Sequence, residues 1–67
     1  MMVFVNGEER LLRDGATVAD VVATLGRDGG RGLAVAVNGE VVTRSLWLDT
    51  ELTENDRVEV LEAIGGG

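Results

Sequence analysis

The sequence predicts a small α+β domain in which a single helix covers one face of a sheet. Three observations predict it. Asn-Gly occurs twice, at Asn6-Gly7 and Asn38-Gly39, each time between two short runs of strand-forming residues. That dipeptide is the strongest short-range signal for a tight hairpin, because both residues tolerate positive φ. Between the two hairpins, Val18, Val21, Val22 and Leu25 fall at i, i+3, i+4 and i+7, which is one apolar stripe of a helix.

In chain order, residues 2–5 form a first strand that ends at Asn6-Gly7, residues 8–12 return, and Asp14-Gly15 is a second turn signal. Thr17 is placed to cap the helix, its hydroxyl accepting from a free backbone N–H. Asp20 lies three residues on, where the helix dipole favours negative charge. Gly26 stops the helix as the residue after its cap. A helix of about two and a half turns is too short to stand alone, so its stripe must pack on a sheet.

Residues 27–32 form a Gly-rich charged loop. No strand leads into it and no helix follows it, so the phosphate-cradling pattern is absent. Residues 33–37, Leu-Ala-Val-Ala-Val, suit an inner strand, and residues 40–42 return from the second hairpin. Ser45 is placed to cap a single turn carrying Leu46, Trp47 and Leu48. Trp47, the chain's one Trp, reads as a core plug under a loop rather than a platform for stacking a ligand. Residues 53–56 read as a polar turn and residues 57–64 as the last strand, with Val58 and Val60 on one side and Glu59 and Leu61 on the other.

A single helix covers one face of such a sheet, and the other face must meet water or a partner. Matching Val3 and Val5 to Val58 and Val60 as the helix-facing set leaves Phe4 and Leu61 on the open face, in an apolar patch leading towards the C-terminus. Phe4 and Leu61 are therefore assigned to partner binding, and Ile64, at the end of the last strand, is assigned with them.

Composition removes most side-chain chemistry. The 67 residues make one domain near the lower size limit for a single core without metal or disulfides. The chain has no Cys, His or Tyr, and its six basic residues are all Arg. Zinc sites of the usual kind, thiol chemistry, the commonest general base and a Schiff-base lysine are thereby excluded, and no metal site is expected. Asp14 and Asp20 are explained by turn and helix-start roles. A formal charge of −6 argues against nucleic acid, which requires a basic face. No apolar run reaches membrane-spanning length and no leader pattern opens the chain, so a cytoplasmic protein is expected.

Gly65, Gly66 and Gly67 then stand out. They place a carboxylate without side chains at the end of a folded body, on a slim tail able to enter a narrow channel. Three extended residues reach about 10 Å. The plain alternative is a frayed end. The expected division is a domain over residues 1–64 and a flexible tail over residues 65–67.

Taken together, the opening hairpin VFVNGEERLL, the segment DGATVADVVATLG, the run LAVAVNGEVVTRSLW, the turn LTENDRVEVLEAI and the final GGG resemble the β-grasp fold of ubiquitin-like proteins. More closely, they resemble the bacterial ThiS-type sulfur carriers of thiamine thiazole biosynthesis. The resemblance covers the whole chain, and the family's terminal Gly-Gly falls on Gly66 and Gly67. It implies a mixed five-stranded sheet and a carrier that binds no cofactor of its own. An E1-like adenylating enzyme would use ATP and Mg²⁺ to adenylate the Gly67 carboxylate, sulfur from a cysteine desulfurase persulfide would leave a thiocarboxylate, and a thiazole synthase would accept that sulfur.

Other readings stay open from sequence: a small subunit of molybdopterin synthase, a carrier for another sulfur-containing product, a ubiquitin-like protein modifier joined to lysines through Gly67, or a binding module whose tail is idle. The absence of Lys and Cys prevents side-chain acylation of one copy by another, and compositional bias accounts for it equally well.

Overall fold

A computed structural model of the chain describes residues 1–25 and 31–62. The elements are β1 (Met2–Val5), β2 (Glu8–Leu11), α1 (Val18–Thr24), β3 (Leu33–Val37), β4 (Glu40–Val42), a 3₁₀ helix (Arg44–Asp49) and β5 (Arg57–Glu62). They build one five-stranded sheet in the order β2-β1-β5-β3-β4. Only the β1–β5 pairing is parallel, so the sheet is mixed, and β5 runs down its middle.

Both hairpins turn where Asn-Gly predicts. Asn6 and Asn38 have φ of 51° and 50°, and each is followed by glycine at φ 85°, the left-handed pair that matches strand twist in a two-residue turn. β2 ends at Leu11 rather than residue 12, although Leu12 N–H still donates to the Met1 carbonyl at 2.8 Å.

The helix start is a full capping box: Thr17 Oγ1 accepts from Asp20 N–H at 3.3 Å, and Asp20 Oδ2 accepts from Thr17 N–H at 2.9 Å. That second bond, more than any other contact, holds the Asp20 carboxyl below its ordinary pKa; Arg13 and the Thr17 hydroxyl add to it, against the opposing pull of partial burial. Backbone bonds from Val18 N–H to Thr50 and from Leu52 N–H to Ala16, at 3.0 and 2.9 Å, tie this end to the segment before β5. The expected stripe is the buried one: Val18, Val21 and Val22 are buried and Leu25 packs beside them. Gly26, assigned to end the helix, and residues 27–30 of the following loop lie outside the described residues.

Under the helix, Val3, Val5, Val35, Val58 and Val60 supply the sheet's side of the core, closed by Trp47 and Leu52. Branching at Cβ suits these side chains both to strands and to a stiff core. Trp47 is the plug expected of it, 5% exposed, with its Nε1–H donating to the Val42 carbonyl at 2.9 Å.

Ser45 does not cap the 3₁₀ helix. Thr43 stands at the cap position and makes no side-chain capping bond; its carbonyl accepts from Leu46 N–H at 2.9 Å. The short i to i+3 bond starts the turn two residues earlier than a hydroxyl cap at Ser45 requires. Asp56 organises the polar turn instead, accepting from Thr53 N–H at 2.8 Å and from Asn38 Nδ2 at 3.0 Å.

Candidate functional site

Residues paired directly across neighbouring strands point to the same face, so the registers define the face that the helix leaves open. Phe4 pairs with Glu9 and Met2 with Leu11; Phe4 also pairs with Arg57 across the parallel ladder. On the other side of β5, Ala36 pairs with Glu59 and Ala34 with Leu61, and Ala36 pairs again with Val41. The open face therefore carries Arg57, Glu59 and Leu61 along its middle strand. Met2, Phe4, Glu9 and Leu11 flank it on one side, and Ala34, Ala36 and Val41 on the other.

Phe4 and Leu61 both lie on this face, as alternation predicts, but they are not neighbours. Phe4 is half-buried beside Arg57, whereas Leu61 is 67% exposed and four residues further along β5. At about 3.3 Å per residue that is a separation of roughly 13 Å along the strand. Glu59 stands between them. Each has its own apolar company instead: Leu11, 85% exposed, on the Phe4 side, and Val41, 78% exposed, on the Leu61 side. The sequence reading missed Leu11 and Val41, although carrying the alternation through the hairpin registers places both. Ile64, Gly65, Gly66 and Gly67, the remaining assigned residues, lie outside the described residues, as does the expected boundary after residue 64.

The face is shallowly concave in two places. One concavity, about 700 Å³, spans Phe4, Arg57 and Glu59 between the two Asn-Gly turns; a smaller one of about 110 Å³ is lined by Ala34, Ala36, Val41, Glu59 and Leu61. Among the described residues no group of side chains gathers as a metal site, and no helix is long and apolar enough to cross a membrane. The chemistry this face supports is docking: exposed apolar side chains around a central charged pair of positions, on the strand that leads to the C-terminal glycines.

A mixed sheet with the parallel pair at its centre and one helix laid across one face defines a ubiquitin-like β-grasp domain. A family model, that of the ThiS family, matches residues 3–67. The chain belongs to the ThiS family. The crystal structure of the thiamine biosynthesis protein ThiS from Geobacter metallireducens is similar along its whole length, with a TM-score of 0.83 at 29% identity and 100% of both chains covered. A solution NMR structure of a thiamine biosynthesis protein from the same organism gives a TM-score of 0.78 at 29% identity, over 100% of this chain and 88% of that one. Thiazole synthase of Paramagnetospirillum magneticum is 36% identical over 67 residues, 100% of this chain; the chain spans only 20% of that relative's length.

Proposed function

We propose that the chain is a sulfur carrier of thiamine biosynthesis whose working group is the carboxylate of Gly67. The observation that carries this reading is the extent of the ThiS family match, which runs to residue 67 and so takes in Gly65, Gly66 and Gly67 with the folded body. Similarity along the whole chain to a relative named thiazole synthase supports a place beside thiazole formation.

In this reading the chain is a protein co-substrate rather than an enzyme. A carboxylate is a poor electrophile, so an E1-like adenylating enzyme uses ATP and Mg²⁺: the Gly67 carboxylate attacks the α-phosphorus, pyrophosphate leaves, and the acyl adenylate carries AMP as a good leaving group. The terminal sulfur of a cysteine desulfurase persulfide displaces AMP. A thiol then cleaves the acyl disulfide and frees the thiocarboxylate, whose sulfur a thiazole synthase accepts. The chain's own residues present the terminus and dock, with Phe4 and Leu61 on the docking side.

The test is the intact mass of the protein after incubation with ATP, Mg²⁺, a sulfur source and extract of its own cells. Replacement of one carboxyl oxygen by sulfur, localised to Gly67 by fragmentation, is the expected result. An unchanged mass in an extract that thiocarboxylates a known ThiS protein overturns the proposal, and adducts of higher mass on partner proteins turn it towards a protein modifier.

A further inference from the structure

Glu59 is an unpaired carboxylate in the middle of the open face, between Arg57 and Leu61 on β5 and beside Ala34, Ala36 and Val41. It is exposed, and no hydrogen bond or ion pair engages it among the described residues. Arg57, two residues back on the same face, makes no ion pair with it. Beside it the sheet is cut away: Ala36 faces Glu59, Ala34 faces Leu61, and Val41 walls the outer side. The result is a recess of about 110 Å³ with Glu59 at one edge.

A partner that covers this face takes the carboxylate out of water, which is unfavourable unless the partner supplies a cation. The alanines on the floor of the recess leave room for an unbranched side chain to lie along the sheet, and the carboxylate at its edge selects a cationic end over an apolar one. We propose that the recess receives an arginine side chain of the partner protein. The aliphatic stem lies along Ala34, Ala36, Val41 and Leu61, and the planar guanidinium meets both Glu59 oxygens. A net charge of −6 favours a partner surface that is basic around this contact. Glu59 is then a specificity determinant: it admits partners with arginine at this place and rejects those with an apolar or acidic residue. This inference rests on the open face being the docking face, and it names the chemistry of the partner there.

Two measurements test it. In the first, which needs no partner enzyme, the ¹⁵N-labelled protein is titrated with N-acetyl-arginine methylamide. Amide shifts centred on Ala34, Ala36, Glu59 and Leu61, lost in Glu59→Gln and kept in Glu40→Gln, support the proposal. Shifts that are absent there, or equal in Glu59→Gln and wild type, overturn it.

In the second, the KM of the adenylating enzyme for the carrier is compared across variants. Glu59→Gln raises it about tenfold with kcat unchanged, Ala36→Leu raises it by filling the recess, and Glu40→Gln leaves it alone. A wild-type protein that is thiocarboxylated while Glu59→Gln keeps the wild-type KM overturns the arginine contact and leaves the carrier reading standing. A wild-type protein that is never thiocarboxylated fails the carrier reading, and the titration still decides the recess.

Discussion

The side chain of Asn6 pairs with the backbone of Val60 as though it were one more residue of β1. Its Oδ1 accepts from Val60 N–H at 2.8 Å, and its Nδ2 donates to the Val60 carbonyl at 3.2 Å. The last ordinary bond of that ladder, Asn6 N–H to the Val58 carbonyl, is 2.9 Å. β1 must turn away at Asn6 to make its hairpin, so the amide side chain continues the parallel ladder that the main chain abandons. Asn38 does the matching work on the other side of β5, its Oδ1 accepting from Arg57 N–H at 2.9 Å.

Asn6 therefore has two separable roles, turn conformation and strand pairing. Asn6→Gly keeps the positive φ and loses the Val60 bonds, and it is expected to cost about 1–3 kcal/mol. Asn6→Ala adds strain at φ 51° and should cost more. Urea melts of the two variants read the difference; a Gly variant as stable as wild type would exclude the pairing role.

Trp47→Phe retains a buried ring and leaves the Val42 carbonyl without its indole donor. The expected loss is about 1–3 kcal/mol from the bond and the smaller ring together, read from the denaturation midpoint. Trp47 is the chain's one Trp, so the transition is followed by far-UV circular dichroism.

Asp20 and Asp56 both titrate below the ordinary value of 3.8. For Asp56, partial burial pushes the pKa up, and bonds from Asn38, from Thr53 N–H and from the Thr53 hydroxyl together outweigh it. Groups whose folded pKa is depressed stabilise the fold above the unfolded pKa and lose that contribution as pH falls through the folded pKa. The melting temperature should hold steady down to about pH 5 and fall below about pH 4. In Asp56→Ala the neutral value drops and the acid decline is shallower. An acid decline identical to wild type would assign it elsewhere.

Leu61→Asp should leave the unfolding free energy within about 0.5 kcal/mol of wild type, because the side chain already faces water. Its affinity for the adenylating enzyme should fall about tenfold or more. Unfolding of this variant would contradict the face assignment.

Deleting Gly67 should abolish thiocarboxylate formation and leave the melting temperature unchanged, since among the described residues the buried core cluster is assembled from residues between Val3 and Val60. A lowered melting temperature would mean that the terminal residue contributes to folding.

Much of this was legible because its signals are local. Two Asn-Gly turns, a Thr17-to-Asp20 capping box and a valine stripe each act within a few residues, and alternation along β1 and β5 then sorts the core side from the open side. What sequence spacing did not reveal lies across long separations. The parallel register of β1 on β5 has no turn to fix it, so Phe4 and Leu61 could be assigned to one face without their distance along it being known. The Asn6 to Val60 bonds span 54 residues, and no local pattern encodes them. Glu59 was visible as a strand residue, but its isolation depends on two alanines brought beside it from β3.

The position of β5 has a mechanical consequence. The strand that leads to the glycines is not an edge strand; it is bonded to β1 on one side, in parallel, and to β3 on the other. A pull along the C-terminal direction loads both ladders in shear, so the bonds resist together rather than opening one after another. The body therefore keeps its fold when its C-terminal end is drawn on, much as a cable clamped along its length holds where one tied at its tip would peel away.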